Sequence, residues 1–99
     1  MSQLSLREDA ERSPALERDH LWRWVANCVN QVAGIPVDLI TEEVTIDREL
    51  ELSSIALLEL QVAIEEKYDI EIDPVHVVRL NRFGAIVDYV HRIAVAHSR

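Results

Sequence analysis

Cysteine, glycine and proline are all scarce in this 99-residue chain, and each scarcity removes a class of protein. The single cysteine, Cys28, excludes a disulfide framework and any zinc site built on cysteine pairs. Two glycines and three prolines supply too few turns for a β-rich fold and suit a helical one. No apolar run approaches the ~18 residues of a membrane span, and the opening MSQLSLREDAERS lacks the apolar stretch of a signal peptide. The expectation is a soluble, cytoplasmic protein with no membrane partner. Bases are also scarce: ten Lys and Arg stand against eighteen Asp and Glu, for a net charge of −8. That rules against non-specific nucleic-acid binding, which needs a basic face to displace counterions. What the chain does have is 48% hydrophobic residues, enough for one small domain to build a core without staples.

The acidity is concentrated. Residues 41–73 hold eleven acids and two bases, Arg48 and Lys67, for a net −9, whereas the remainder is close to neutral. Such a segment is either a solvated face or a surface that steers a basic partner, and the neighbouring residues decide between the two.

Helical signals dominate the rest. Residues 1–13 are polar and aperiodic and read as a disordered tail. Ser13-Pro14 combines a capping side chain with the residue favoured at the first helical position. Leu21, Val25, Cys28 and Val32 then recur at helical spacing, flanked by Trp22 and Trp24, with Arg23, Asn27 and Asn30 opposite. Gly34 and Pro36 end this helix. Residues 35–53 read as a long ordered loop pinned by Val37, Leu39, Ile40, Val44, Ile46, Leu50 and Leu52; Val44–Asp47 alternates like a strand without an evident partner. Loops of this length in small domains are often functional. A second helix spans 54–67 with Ser53 as its cap. Pro74 opens a short third helix over 75–79, and Asn81 is placed to cap a fourth that carries Phe83, Ile86, Val87, Val90, Ile93 and Ala94 on one face. The fold class is all-α: a small four-helix bundle with a long first loop and a short third helix.

The second helix has two apolar faces. At roughly 100° per residue, Leu57, Leu60, Ile64 and Tyr68 form a stripe for the core. Ile55, Leu58 and Val62 fall on the other side, interleaved with Glu59, Glu65 and Glu66. A solvated face has no use for three aliphatics, and a buried one does not carry three carboxylates. A docking surface accounts for both, the aliphatics giving affinity and the acids orientation. The competing arrangement has the long loop covering this face as a second core.

No catalytic constellation is present. There is no nucleophile–base pair and no Gly-rich phosphate loop, and His20, His76, His91 and His97 are scattered, so no metal site is expected. Cys28 reads as a small core residue. The run Glu49-Leu50-Glu51-Leu52-Ser53-Ser54-Ile55, followed by an acidic amphipathic helix, instead resembles the acyl carrier proteins. Their signature is leucine, glycine, a hydrophobic residue, aspartate, serine, then leucine or isoleucine. The resemblance covers 17–95 and sets Ser54 on the family's serine. The family's recognition-helix carboxylates, five, eleven and twelve residues beyond that serine, match Glu59, Glu65 and Glu66, and its aromatic–acid pair matches Tyr68-Asp69. Ser53 stands in place of the family's aspartate, Glu51 in place of its glycine, and Ala56 where many members have an acid. The third helix, Val75-His76-Val77-Val78-Arg79, is apolar and weakly basic, unlike the acidic one of fatty-acid carriers.

The resemblance implies a carrier domain over 14–97, not an enzyme. A phosphopantetheinyl transferase would attach 4′-phosphopantetheine covalently to Ser54, and the arm's thiol would hold acyl or aminoacyl cargo as a thioester. The adjacent Ser53 is the alternative attachment point; the spacing to the three acids favours Ser54. Ile55, Leu58, Glu59, Val62, Glu65 and Glu66 would meet the transferase and acyl-loading, adenylating or ketosynthase-type enzymes of polyketide, nonribosomal peptide or fatty-acid biosynthesis. The carrier is expected to be a monomer. The rival reading is an unmodified acidic helical adaptor that binds a basic partner protein.

Overall fold

The computed structural model describes residues 17–97. Four α-helices follow one another: α1 (Arg18–Ala33), α2 (Ser54–Tyr68), α3 (Pro74–Leu80) and α4 (Phe83–His97), with a short 3-10 turn, Val37–Leu39, in the loop between α1 and α2. The all-α bundle with a long first loop and a short third helix is the architecture found. The tail over 1–13 and the Ser13-Pro14 helix start lie outside the described residues. Glu17 is extended, so the helix that carries Leu21 and Val25 begins at Arg18.

The helices start and stop where local chemistry requires. Gly34 ends α1 in the left-handed conformation (φ 73°) and donates its N–H to the Asn30 carbonyl. Ser53 caps α2, its hydroxyl accepting the Ala56 N–H at 3.0 Å. Asp73 caps α3 by accepting the Val75 N–H, with Pro74 in the first turn.

One core joins the four helices. Leu21, Val25, Ala26, Cys28 and Val29 of α1 meet Leu60 and Ile64 of α2, Val77 of α3, and Phe83, Ile86, Val87 and Val90 of α4. Trp22 stands edge-on to Phe83, with ring centroids 5.2 Å apart, and Trp24 edge-on to Tyr68 at 5.7 Å. Val32 is only half-buried, whereas Ala26 and Val29 are fully enclosed. The α1 stripe is therefore wider than the Leu21–Val25–Cys28–Val32 row, because α1 is packed from two sides, by α2 and by α4.

The long loop is ordered by its own side chains. Ile40, Ile46 and Leu50 are buried in the core, and Val37, Val44 and Leu52 pack against it. Leu39 is the exception: the 3-10 turn leaves it exposed. The alternating Val44–Asp47 segment does have a partner, which is a single bridge and not a strand. Thr45 faces Arg82, the Ile46 N–H reaches the Asn81 carbonyl at 2.8 Å, and the Phe83 N–H reaches the Val44 carbonyl at 2.8 Å. Asn81 does not cap α4. It ends α3 at φ 61°, and its side-chain amide donates to Asp47 Oδ1 at 3.1 Å. Tying the loop to the α3–α4 corner uses the side chain that a cap would need.

The far end of the loop is clamped by charge. Arg18 reaches both Glu42 carboxylate oxygens at 2.9 Å and Asp88 at 2.6 Å, a bidentate contact plus one more charge-assisted bond. Arg18 holds the Glu42 carboxyl below its ordinary range. The stabilisation from this pair is complete above the usual carboxylate pKa and fades as acid protonates Glu42. Gly84 suits this contact, since a Cβ there would meet the Glu42 carboxylate that Arg18 holds and approach the Glu42 carbonyl oxygen at 3.0 Å.

Glu51, just before α2, sits at φ 48°, a left-handed conformation that a side chain resists and glycine does not. Glu51→Gly is expected to raise stability by about 0.5–1 kcal/mol, read from urea melts. A variant less stable than the parent would assign the Glu51 side chain a stabilising role of its own.

Candidate functional site

The site grows from the first turn of α2. Ser53 and Ser54 are adjacent, and both are exposed, but they do different work. The Ser53 hydroxyl is taken by the Ala56 N–H and the Ser53 carbonyl by the Leu57 N–H. Ser54 is the first residue of the helix, and its hydroxyl has no bond within the described residues. The N–H groups of the opening turn and the helix dipole favour an anion there.

Beside Ser54 lies a cleft of about 300 Å³ between α2 and α3. Leu52, Leu57 and Val78 give it apolar walls, while Asp47, Arg79 and Asn81 form its polar rim. The mutual Asp47–Asn81 contact fixes one side of that rim and lowers the Asp47 pKa. Ser54 thus stands exposed beside a cleft with both apolar and polar lining.

The outer face of α2 is open. Ile55 is 71% exposed, Leu58 61% and Val62 42%, so the loop does not cover this face and no second core forms. Glu59 and Glu66 are exposed beside them. Glu65 differs from its neighbours. It is only partly exposed, and its carboxylate accepts the Ile72 N–H at 2.8 Å, holding the segment after α2 against the helix. Gln61, which the sequence did not single out, is buried. Val75 and Val78 of α3 are exposed as well, and Val78 lines the cleft with Leu57. An apolar run on a short helix is compatible with core or surface, so they were not separable by pattern.

Cys28 is buried, and burial pushes its thiol pKa up, which makes it an inert core residue. No cluster of metal-ligating side chains occurs among the described residues, and none of their helices is long and apolar enough to cross a membrane.

Comparison with known proteins shows the family. Residues 23–90 match the family model described as "Phosphopantetheine attachment site". An acyl carrier protein of Acidothermus cellulolyticus is 32% identical over 82 residues, which cover 83% of this chain and 98% of that protein. A meromycolate extension acyl carrier protein of Mycobacterium leprae is 25% identical over 79 residues, covering 80% of this chain and 69% of that protein. An acyl carrier protein of Thermobifida fusca is 24% identical over 68 residues, covering 69% and 86%. The chain belongs to the phosphopantetheine-binding acyl carrier proteins. It is a carrier and not an enzyme, its prosthetic group is 4′-phosphopantetheine, and its family works with a phosphopantetheinyl transferase and with synthetic enzymes.

Proposed function

We propose that Ser54 carries the 4′-phosphopantetheine arm and that the protein holds acyl or aminoacyl cargo as a thioester on the arm's thiol, presenting it to successive biosynthetic enzymes. The observation that supports Ser54 over Ser53 is the division of labour between them: Ser53 Oγ is committed to capping α2, whereas Ser54 is exposed beside the cleft. In this reading the Ser54 hydroxyl oxygen bonds to the phosphorus of coenzyme A nearest the pantetheine, the pyrophosphate P–O bond breaks, adenosine 3′,5′-bisphosphate leaves, and the hydroxyl proton passes to the transferase, which supplies the chemistry. The bound arm supplies a thiol for the cargo. The carrier acts as a cytoplasmic monomer.

The likeness to the meromycolate extension acyl carrier proteins of Mycobacterium leprae and Mycobacterium bovis supports acyl cargo. The composition of α3, with exposed Val75, His76, Val78 and Arg79, supports a partner set distinct from that of fatty-acid carriers, as in a discrete carrier of polyketide or nonribosomal peptide assembly. The test of the carrier reading is incubation with coenzyme A and a broad-specificity transferase. The expected result is an intact mass raised by one phosphopantetheine group, located on Ser54 after digestion. An unchanged mass would favour the unmodified adaptor.

Ile55, Leu58, Glu59, Val62 and Glu66 form the docking surface in this reading. Glu65 contributes charge at its edge. Glu59→Lys and Glu66→Lys are expected to slow loading by the transferase and by the acylating enzyme. Added salt should weaken the parent's interactions, since exposed charges more than about 8–10 Å apart are largely screened near physiological ionic strength. Ile55→Ala and Val62→Ala should slow the same steps with less salt dependence, because their contribution is buried area. Melting of all four should stay within about 0.5 kcal/mol of the parent. Loading kinetics that match the parent in all four variants would remove this face from docking.

A further inference from the structure

The cleft beside Ser54 contains one cation, and that cation has no partner. Arg79 lies on the cleft's rim, is exposed, and makes no ion pair or hydrogen bond among the described residues, in contrast to Arg18 and Arg82, which engage Glu42, Asp88 and Glu43. The nearby acid on the same rim, Asp47, is already taken up by the Asn81 amide, which both donates to its carboxylate and accepts its backbone N–H. An exposed guanidinium with no partner among the described residues therefore lines the same cleft as the hydroxyl where a new anion appears when Ser54 is modified. A guanidinium presents a planar fork of donors that matches two phosphate oxygens at once.

We propose that Arg79 pairs with the phosphodiester that joins the arm to Ser54, and that this contact holds the arm against the apolar walls formed by Leu57 and Val78 instead of leaving it to swing freely. The inference rests on the reading that Ser54 bears the arm. Arg79 is then a positioning residue, tuning the fraction of time the arm lies in the cleft between visits to partner enzymes. The energetic scale is that of an exposed ion pair, so neutralising it changes the docked population by about two- to fivefold.

The test compares apo and holo protein by NMR, with intact mass measured on every sample. In the parent, modification should shift the Arg79 Nε–Hε resonance and give nuclear Overhauser contacts from the arm to the Leu57 and Val78 methyl groups. In holo Arg79→Gln those contacts should weaken about two- to fivefold and the phosphorus resonance should move, while the mass still reports one attached group. Arg79→Lys should retain part of the contacts, since it keeps the charge and loses the fork. A fully modified parent whose Arg79 resonance does not respond, or a modified Arg79→Gln with the parent's arm contacts, overturns the inference and leaves Ser54 as the attachment point. A parent that gains no mass overturns the reading beneath it, and the inference falls with it.

Discussion

Ser54→Ala is expected to abolish modification: after incubation with coenzyme A and transferase its mass stays that of the apo protein, and its melting curve stays close to the parent's. The hydroxyl that is lost makes no bond within the bundle, and alanine is a good helix former at an exposed position. Ser53→Ala should behave in the opposite way. It retains a modifiable serine but loses the cap on α2, in which Ser53 Oγ accepts the Ala56 N–H at 3.0 Å, at a cost of about 0.5–2 kcal/mol. The pair of variants thus separates attachment from capping at two neighbouring serines. If Ser54→Ala were still modified and Ser53→Ala were not, the attachment point would be one residue earlier and Ser53 would have to release its cap to react.

Leu60→Ala should be the most destabilising of the changes considered, at about 2–5 kcal/mol. Leu60 is 3% exposed and packs in the common core with the buried α1 and α4 residues. Since a domain of this size has roughly 5–15 kcal/mol in all, the variant loses a large share of its stability and should melt at least about 8 °C below the parent. Leu58→Ala, two residues earlier on the same helix but 61% exposed, should melt within about 0.5 kcal/mol of the parent. Calorimetry on the two variants reads the two faces of α2 directly. Equal melting temperatures would contradict the division of this helix into a core stripe and an outer surface.

The helices, their order and the two-faced character of α2 were legible in the sequence because they depend on local properties. A cap such as Ser53, a terminator such as Gly34 and the 3.6-residue recurrence of Leu57, Leu60 and Ile64 act through atoms within a turn or two of chain. The Ser54-to-acid spacing is local in the same sense, since it is written along a single helix. The loop was harder. Its buried residues, Ile40, Ile46 and Leu50, have no regular period, because a loop follows the surface it covers and not a repeat of its own.

Only the tertiary structure decided matters that depend on residues far apart in the chain. The role of Asn81 is one: a capping residue by local pattern, it instead binds Asp47, thirty-four positions away. The engagement of Glu65 by the Ile72 N–H and the clamp of Arg18 on Glu42 and Asp88 are others, since charge pattern alone does not reveal which acids are already in use. The same holds for the outer face of α2. Its mixture of aliphatics and carboxylates left a second core under the loop open, and the loop's path, which leaves Ile55 and Leu58 uncovered, excludes that arrangement. The cleft that Arg79 and Ser54 both line is walled by α2, α3 and the long loop. Periodicity fixes which residues share a face of one helix. How two faces meet is set by the packing of the whole core.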